Sequence, residues 1–431
     1  MTDVCDMKIP YMGALFSSDI VSLLNFIQSQ GFGLTLVGGA VRDYFLYQQI
    51  ADDLDFEIRS SDGAKEEVWL RSINALASSL QKKFLLKIEF LEFGIFKFSY
   101  NGKNFEFSSP RIEIFDEDQK KWNHKDFRVT LISNLDYMTS FTRRDFTINA
   151  IGFELLDSQE IKLIDPFDGV GDIARQVLKP CGNDFFKDPV RFLRLLRFKS
   201  NTNFKISSEI SSNLNRFNLE DLTHSYFLKE AFKTNPLKFF RLFFHYVQTA
   251  PITYNQNLAP LFFLAQDDAM VNEAALPVWD EKSLLVWMIF CKKFGDKHIW
   301  DFARYAKVNQ SFVKNMLGLK ESATALLQMD LEKLLRHLAP PNEAKIPEQS
   351  HLNIIGDFYT SYKRNSKQLI IYLACIPDAI WGQIFRLWEG IFHFYPHDLN
   401  IIKNIPPKSR KVFGIYLMLR NYHEYRQKLP K

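Results

Sequence analysis

The run Leu36-Val37-Gly38-Gly39-Ala40-Val41-Arg42-Asp43, followed ten positions later by Asp53-Leu54-Asp55, brings a glycine turn, an arginine and two carboxylates into one short unit. Two aspartates at i and i+2 of a strand project from one face of a sheet, because side chains alternate with period two. Their carboxylates then lie roughly 6–7 Å apart, close enough to share divalent ions held ~3.5–4 Å from each other. Glycine at 38 and 39 removes the side chains that would keep backbone N–H groups away from phosphate oxygens. An acidic pair on a strand is ordinarily a solvated face. With a glycine turn and Arg42 just upstream, it becomes the arrangement expected of nucleotidyl transfer, where metal ions activate a 3′-hydroxyl and neutralise the departing pyrophosphate. Asp53 and Asp55 are therefore the candidate catalytic and metal-holding residues, with either one as base for the attacking hydroxyl. Glu106, in Asn104-Phe105-Glu106-Phe107, is a candidate third carboxylate from a neighbouring strand; a surface position on an edge strand is the alternative.

Two further segments carry candidate nucleotide contacts. Arg143-Arg144 precede Asp145-Phe146-Thr147-Ile148-Asn149-Ala150, and guanidinium forks match phosphate oxygens. Asp145 and Asn149 can hydrogen-bond ribose hydroxyls, although a charged loop entering a helix reads the same way. In Lys187-Asp188-Pro189-Val190-Arg191 the aspartate is an N-cap and the proline an N1 residue, so a helix starts there. Arg191, Arg194 and Arg197 recur every third residue, while Phe192, Leu193, Leu195, Leu196 and Phe198 supply a broad apolar face. The plain alternative is an amphipathic helix with snorkelling arginines. In the functional reading, Asp188 accepts from the exocyclic amine of cytosine or adenine and Arg191 donates to ring acceptors, a pattern that uracil and guanine fit poorly.

The elements that must position these groups fall into two regions. Before about Leu163, helical and strand patterns alternate: a helix over Ile20–Phe26, strands at Leu34–Val37 and Leu54–Ile58, and a helix over Lys65–Leu80. Strands follow at Leu86–Phe90, Ile95–Tyr100 and Asn104–Ser108, with Asn101-Gly102 turning between the last two. This predicts an α+β head with a small mixed or antiparallel sheet. Beyond Leu163 strands nearly vanish and helices take over at Val190–Phe198, Pro236–Val247, Leu284–Phe294, Ser311–Leu327 and Leu331–Leu338. Pro340-Pro341 through Pro347 reads as a linker. The last stretch gathers Lys403, Lys408, Arg410, Lys411, Arg420, Arg426, Lys428 and Lys431 against Asp398 and Glu424.

At 431 residues the chain is too long for one core. With 46% hydrophobic and 24% charged residues it has a globular composition, which sets aside disordered and fibrous classes. A net charge of +4 permits a polyanionic partner without requiring one. The 41 phenylalanines suit well-filled cores, with some available for stacking on bases. Cys5, Cys181, Cys291 and Cys375 form no C-x-x-C pair, which argues against a zinc site or disulfide framework and for a reducing compartment. With no signal-peptide pattern and no apolar run of the ~18 residues a membrane span needs, the expected location is cytoplasmic. His397-Asp398, the one His-Asp dipeptide, reads as chance rather than part of a phosphohydrolase site.

Taken together, the segments resemble the class II CCA-adding tRNA nucleotidyltransferase and bacterial poly(A) polymerase family. The glycine turn with Asp53-x-Asp55 resembles its motif A, Arg143 to Ala150 its motif B, Asp165-Pro166-Phe167-Asp168-Gly169-Val170-Gly171-Asp172 its motif C, and Asp188 to Arg197 its motif D. The resemblance implies a polymerase-β-like catalytic head over residues 1–163, a helical base-recognising neck over 164–245, a helical body over 246–340 and an RNA-binding helical tail over 348–431. It also implies Mg2+, CTP and ATP as substrates selected without a template, and a tRNA 3′ end as acceptor. By position, Gly38, Gly39, Arg42, Arg143, Arg144, Asp145, Asn149, Asp188, Arg191, Arg194 and Arg197 would contact nucleotide. Glu113 to Asp136 would correspond to the family's flexible loop, and Glu230-x-x-Lys233-x-x-Pro236 to its neck motif. Lys187 departs from the acidic residue usual before Asp188. Poly(A) addition, partial CC- or A-addition, and a catalytically silent RNA-binding paralogue are the rival readings.

Overall fold

The alternation Asp53-Leu54-Asp55-Phe56-Glu57-Ile58 builds β2 (Asp53–Arg59), the central strand of a seven-stranded sheet. The computed structural model describes residues 9–115, 127–157, 159–256, 258, 262, 280–290, 294–336, 349–373, 379–395 and 407–427. The first of its two units comprises Met1–Glu230 and Leu242–Gln256, the second Ala231–Arg241 and Asn257–Lys431.

In chain order the first unit runs α1 (Ser18–Ser29), β1 (Gly33–Val37), α2 (Gly39–Tyr47), β2, α3 (Glu66–Phe84), β3 (Glu89–Phe90), β4 (Phe96–Tyr100) and β5 (Lys103–Ser108). There follow β6 (Arg111–Phe115), β7 (Phe127–Leu131), α4 (Tyr137–Thr142), β8 (Gly152–Leu155), β9 (Ile161–Ile164), α5 (Gly169–Arg175) and α6 (Pro189–Asn201). The sheet order is β3-β4-β5-β2-β1-β8-β9. Only β2 and β5 pair in parallel, with Asp53 opposite Asn104 and Asp55 opposite Glu106; the other pairings in this sheet are antiparallel. The predicted mixed sheet is thus present.

One face of this sheet is a phenylalanine layer. Phe56 stacks on Phe107 at 5.3 Å and on Phe105 at 6.3 Å, and Phe96 and Phe98 extend the layer across β4. Because every second residue faces this layer, the residues between them, Asp53, Asp55, Asn104 and Glu106, must face the other way. The aromatic abundance is spent here on a rigid platform for the polar face.

Two sequence expectations change. The strand expected at Leu86–Phe90 shrinks to Glu89–Phe90, because α3 continues to Phe84 and ends on Leu85 in a left-handed conformation at φ 54°. Nothing in Gln81-Lys82-Lys83-Phe84 breaks a helix, and Lys83 Nζ lies 3.9 Å from the Phe26 ring centroid. The ends of the segment Glu113 to Asp136, expected to be loop, belong to an antiparallel β6/β7 hairpin and to α4, whose N-cap is Asp136. Residues 116–126 between those strands lie outside the described residues.

In the second unit, Glu281–Phe290 is apolar on all sides, and Ser283 through Phe290 are buried. Phe290 meets Trp381 and Phe385 of the Ala379–Phe392 helix at 5.2 and 5.9 Å. Helix Gln349–Leu373 packs on Gln310–Leu327 and on Pro407–Gln427, and Lys411 pairs with Asp357 at 2.7 Å. The expected linker at 340–347 and His397-Asp398 lie outside the described residues, as do Lys403, Lys428 and Lys431. No described helix is long and apolar enough to cross a membrane.

Candidate active site

Strand β1 delivers the chain to Gly38, which adopts φ 75° and ψ −131° before α2 begins at Gly39. An L side chain rarely tolerates that backbone. A Cβ at Gly38 would also stand 3.3 Å from Arg144 Nη1 and 3.8 Å from Asp55 Oδ2. The bare turn therefore touches one guanidinium and one carboxylate, the two charges a metal-bound phosphate needs around it.

The acidic row lies across β2 and β5. Asp53 accepts a hydrogen bond from Asn104 Nδ2 at 2.9 Å. Asp55 is open to solvent, yet crowded by protein: burial raises its pKa first, Arg144 opposes, Asp53 adds to the rise and Arg194 opposes again. Glu106 is raised by burial and then by Asp55, with Lys97 and Arg111 opposing. Like charges that resist ionising together form a natural seat for a cation. Among the described residues no group of three or more His, Cys, Asp or Glu side chains is placed to hold a metal ion. Asp53 and Asp55 alone still fit magnesium, which is commonly held by one or two carboxylates plus substrate phosphates.

Behind this row the predicted basic residues form a connected brace. Arg42 donates to Asp43 at 2.8 Å and to Asn149 Oδ1 at 2.7 Å, with its guanidinium 5.1 Å from the Phe198 ring centroid. Asn149 donates to Asp145 at 2.9 Å, and Arg194 donates to the other Asp145 oxygen at 2.6 Å. Burial would push the Asp145 carboxyl up; Arg194, Asn149 and the Phe146 N–H outweigh it and hold it well below the usual range. Arg191 donates to the Arg143 carbonyl at 2.7 Å and lies 3.9 Å from Asp188, which caps α6 through the Val190 N–H. Arg197 pairs with Glu230 at 2.9 Å.

The structure thus brings all the predicted residues of the first unit into one network but divides their work. Asp145 and Asn149, expected at ribose hydroxyls, are buried and bonded within the protein; Arg194 and Arg197 each hold a carboxylate. Arg143 and Arg144 differ, since the buried Nε of each has no hydrogen-bond partner in the protein. Burial, then Arg111 and Arg144, lower the Arg143 pKa to about 9, with Glu113 and Glu57 opposing. Lys187, in the unusual position, pairs with Asp184 at 2.8 Å and lies 5.3 Å from the Phe115 ring.

Sequence reasoning missed Glu57, Ser140 and Glu113. Glu57 is fully buried and accepts from Ser140 Oγ; Glu113 joins Arg111 at 2.7 Å to Arg143 at 3.7 Å. The i+2 series 53, 55, 57 was the signal for the first of them.

Comparison with known proteins agrees with this geometry. Residues 34–179 match the model of the Poly A polymerase head domain. Over the head the chain is thus similar to poly(A) polymerases and CCA-adding enzymes. A CCA-adding enzyme of Lactobacillus delbrueckii subsp. bulgaricus is 29% identical over 190 residues, 43% of this chain and 42% of that one. One from Lactobacillus johnsonii is 27% identical over 247 residues, 55% of each. The chain thus matches about half the length of these curated relatives. Over nearly its full length it shares the fold of the Thermotoga maritima CCA-adding enzyme solved with tRNA, with TM-score 0.56, 18% identity, and 99% and 97% of the two chains covered. A CCA-adding enzyme solved with CTP gives TM-score 0.55 at 19% identity, covering 96% and 95%.

Proposed function

We propose that this chain is a magnesium-dependent nucleotidyltransferase that adds CCA to the 3′ end of tRNA from CTP and ATP, releasing pyrophosphate, in the cytoplasm. The observation that carries the reading is the meeting of Asp55, Arg144 and the bare Gly38 turn at one point. Asp53 and Asp55 would hold the metal, which when bound lowers the charge on the triphosphate and on the attacking oxygen. Arg143 and Arg144, at and just beyond the C-terminal end of α4, turn guanidinium forks to phosphate oxygens. Asp53 or Asp55 takes the proton of the 3′-hydroxyl. Asp188 and Arg191 read the base edge from the start of α6, a helix held by Arg194–Asp145 and Arg197–Glu230. Positioning and charge neutralisation then supply most of the rate. The relatives named above, among them one solved with tRNA and one with CTP, support this choice of substrates.

Incubating the purified protein with tRNA ending at its discriminator base and each NTP, alone and combined, then sequencing the products, tests this. The expected product ends in CCA. A long A tail, or arrest after CC, replaces full CCA addition with a related activity. No extension at all leaves an RNA-binding paralogue.

Base selection has its own test. Combined Asp188→Ala and Arg191→Ala substitutions are expected to narrow the preference for CTP and ATP over UTP by roughly tenfold or more. Unchanged exclusion of UTP, measured as the ratio of kcat/KM values, removes these residues from the base edge.

A further inference from the structure

We propose that Glu57 is a positioning residue for the triphosphate: by gripping Ser140 it locks α4 onto the catalytic strand and so aims Arg143 and Arg144. This inference rests on the function proposed above. Glu57 lies two residues beyond Asp55 on the same face of β2 and is wholly buried. Its carboxylate accepts from Ser140 Oγ at 2.6 Å and from Arg59 Nε at 2.9 Å and Nη2 at 2.5 Å. The Arg59 guanidinium lies 3.7 Å from the Tyr137 ring centroid and donates to the Leu135 carbonyl. Tyr137 Oη in turn lies 2.6 Å from Thr35 Oγ1 on β1.

Helix α4 is thereby fastened both to β1, which leads into the glycine turn, and to β2, which carries the acidic pair. Tyr137 opens the helix and Ser140 sits one turn from its end, where Arg143 is the C-cap and Arg144 follows. A six-residue helix has too few internal hydrogen bonds to hold its own place. Glu57 does not touch substrate; it acts through Ser140 and through its charge, which opposes the lowering of the Arg143 pKa. Stability alone does not call for a buried charge here, since buried ion pairs are commonly replaceable by apolar groups without loss. What an apolar residue cannot supply is a fixed acceptor for Ser140 and a negative charge near Arg143.

Two variants of the full-length protein separate this role from simple packing. Glu57→Gln keeps an acceptor for Ser140 but removes the charge; Ser140→Ala removes the donor and leaves the charge. Calorimetric binding of a non-hydrolysable CTP analogue with Mg2+ is read beside KM, kcat and the thermal midpoint. Each variant is expected to raise Kd and KM for nucleotide roughly tenfold, while remaining folded at the assay temperature. The double variant should fall short of the product of the two, because both cut one link. Wild-type nucleotide affinity in both variants, with only a lowered midpoint, overturns the proposal. If Glu57→Gln does not fold, Ser140→Ala carries the test. Should the wild-type protein bind the analogue but extend no RNA, the functional reading fails while the Kd comparison still decides the role of Glu57.

Discussion

Replacing Asp53 or Asp55 by alanine should lower nucleotide incorporation by about 10³-fold or more while the fold persists. Both side chains leave the exposed face of β2, and the strand is secured from its other face by Leu54, Phe56 and Ile58, each buried. The metal-free protein should not be weakened by the loss. Burial and the neighbouring Asp53 already make the charged form of Asp55 costly. Asp55→Asn, which removes that charge at nearly constant shape, is expected to melt no lower than wild type without metal, and to lose the rise in melting temperature that Mg2+ gives the wild type. Incorporation assays paired with thermal melts with and without Mg2+ check both halves. Undiminished incorporation in either alanine variant would remove the site from β2.

The second large effect is structural. Arg194→Ala should destabilise the first unit by about 3 kcal/mol, the low end for breaking a buried pair, because about a third of the Arg194 side chain stays in contact with water. The cost arises at Asp145, which keeps Asn149 and the Phe146 N–H but loses its cation. The folded-state pKa of Asp145 lies below its unfolded value, so its contribution is complete above the unfolded value of ~3.9 and fades as pH falls below it. Wild type should therefore lose stability on acidification below about pH 4, and Arg194→Ala should lose less over the same interval. Urea unfolding at pH 7 and pH 3.5 measures the difference. Equal acid sensitivity in the two proteins would place the depressed carboxyl elsewhere.

Much of the head was legible in the sequence because its signals are local. Alternation in Asp53–Ile58 fixed which residues face the phenylalanine layer, and Gly38 marked a turn whose positive φ other residue types rarely adopt. Asp188-Pro189 marked the start of α6 to the residue. The hairpin of β6 and β7 was hidden because Ile112-Glu113-Ile114 is too short to separate from loop by pattern alone. The division of labour among charged residues was hidden for a different reason. Arg143 and Arg194 look alike in sequence, and only tertiary contacts reveal that Arg194 has a carboxylate at 2.6 Å whereas the Nε of Arg143 has no partner. Glu57 was passed over because a strand glutamate is ordinarily exposed; its burial depends on Arg59 and on a helix some eighty residues away.

Strand β1 takes its two neighbours at very different times during synthesis. Leu34 meets Ile58 on one side but Leu155 on the other, 121 residues downstream. A ribosome adding roughly 5–20 residues per second leaves that second edge bare for about 6–24 s. For most of this interval, from residue 55 onward, the emerging polypeptide owns its acid pair, while Arg143, Arg144 and Asn149 arrive only near the end. The acid pair is thus made before the arginines that complete the site, and until β8 arrives the unpaired border of β1 is open to wrong pairing.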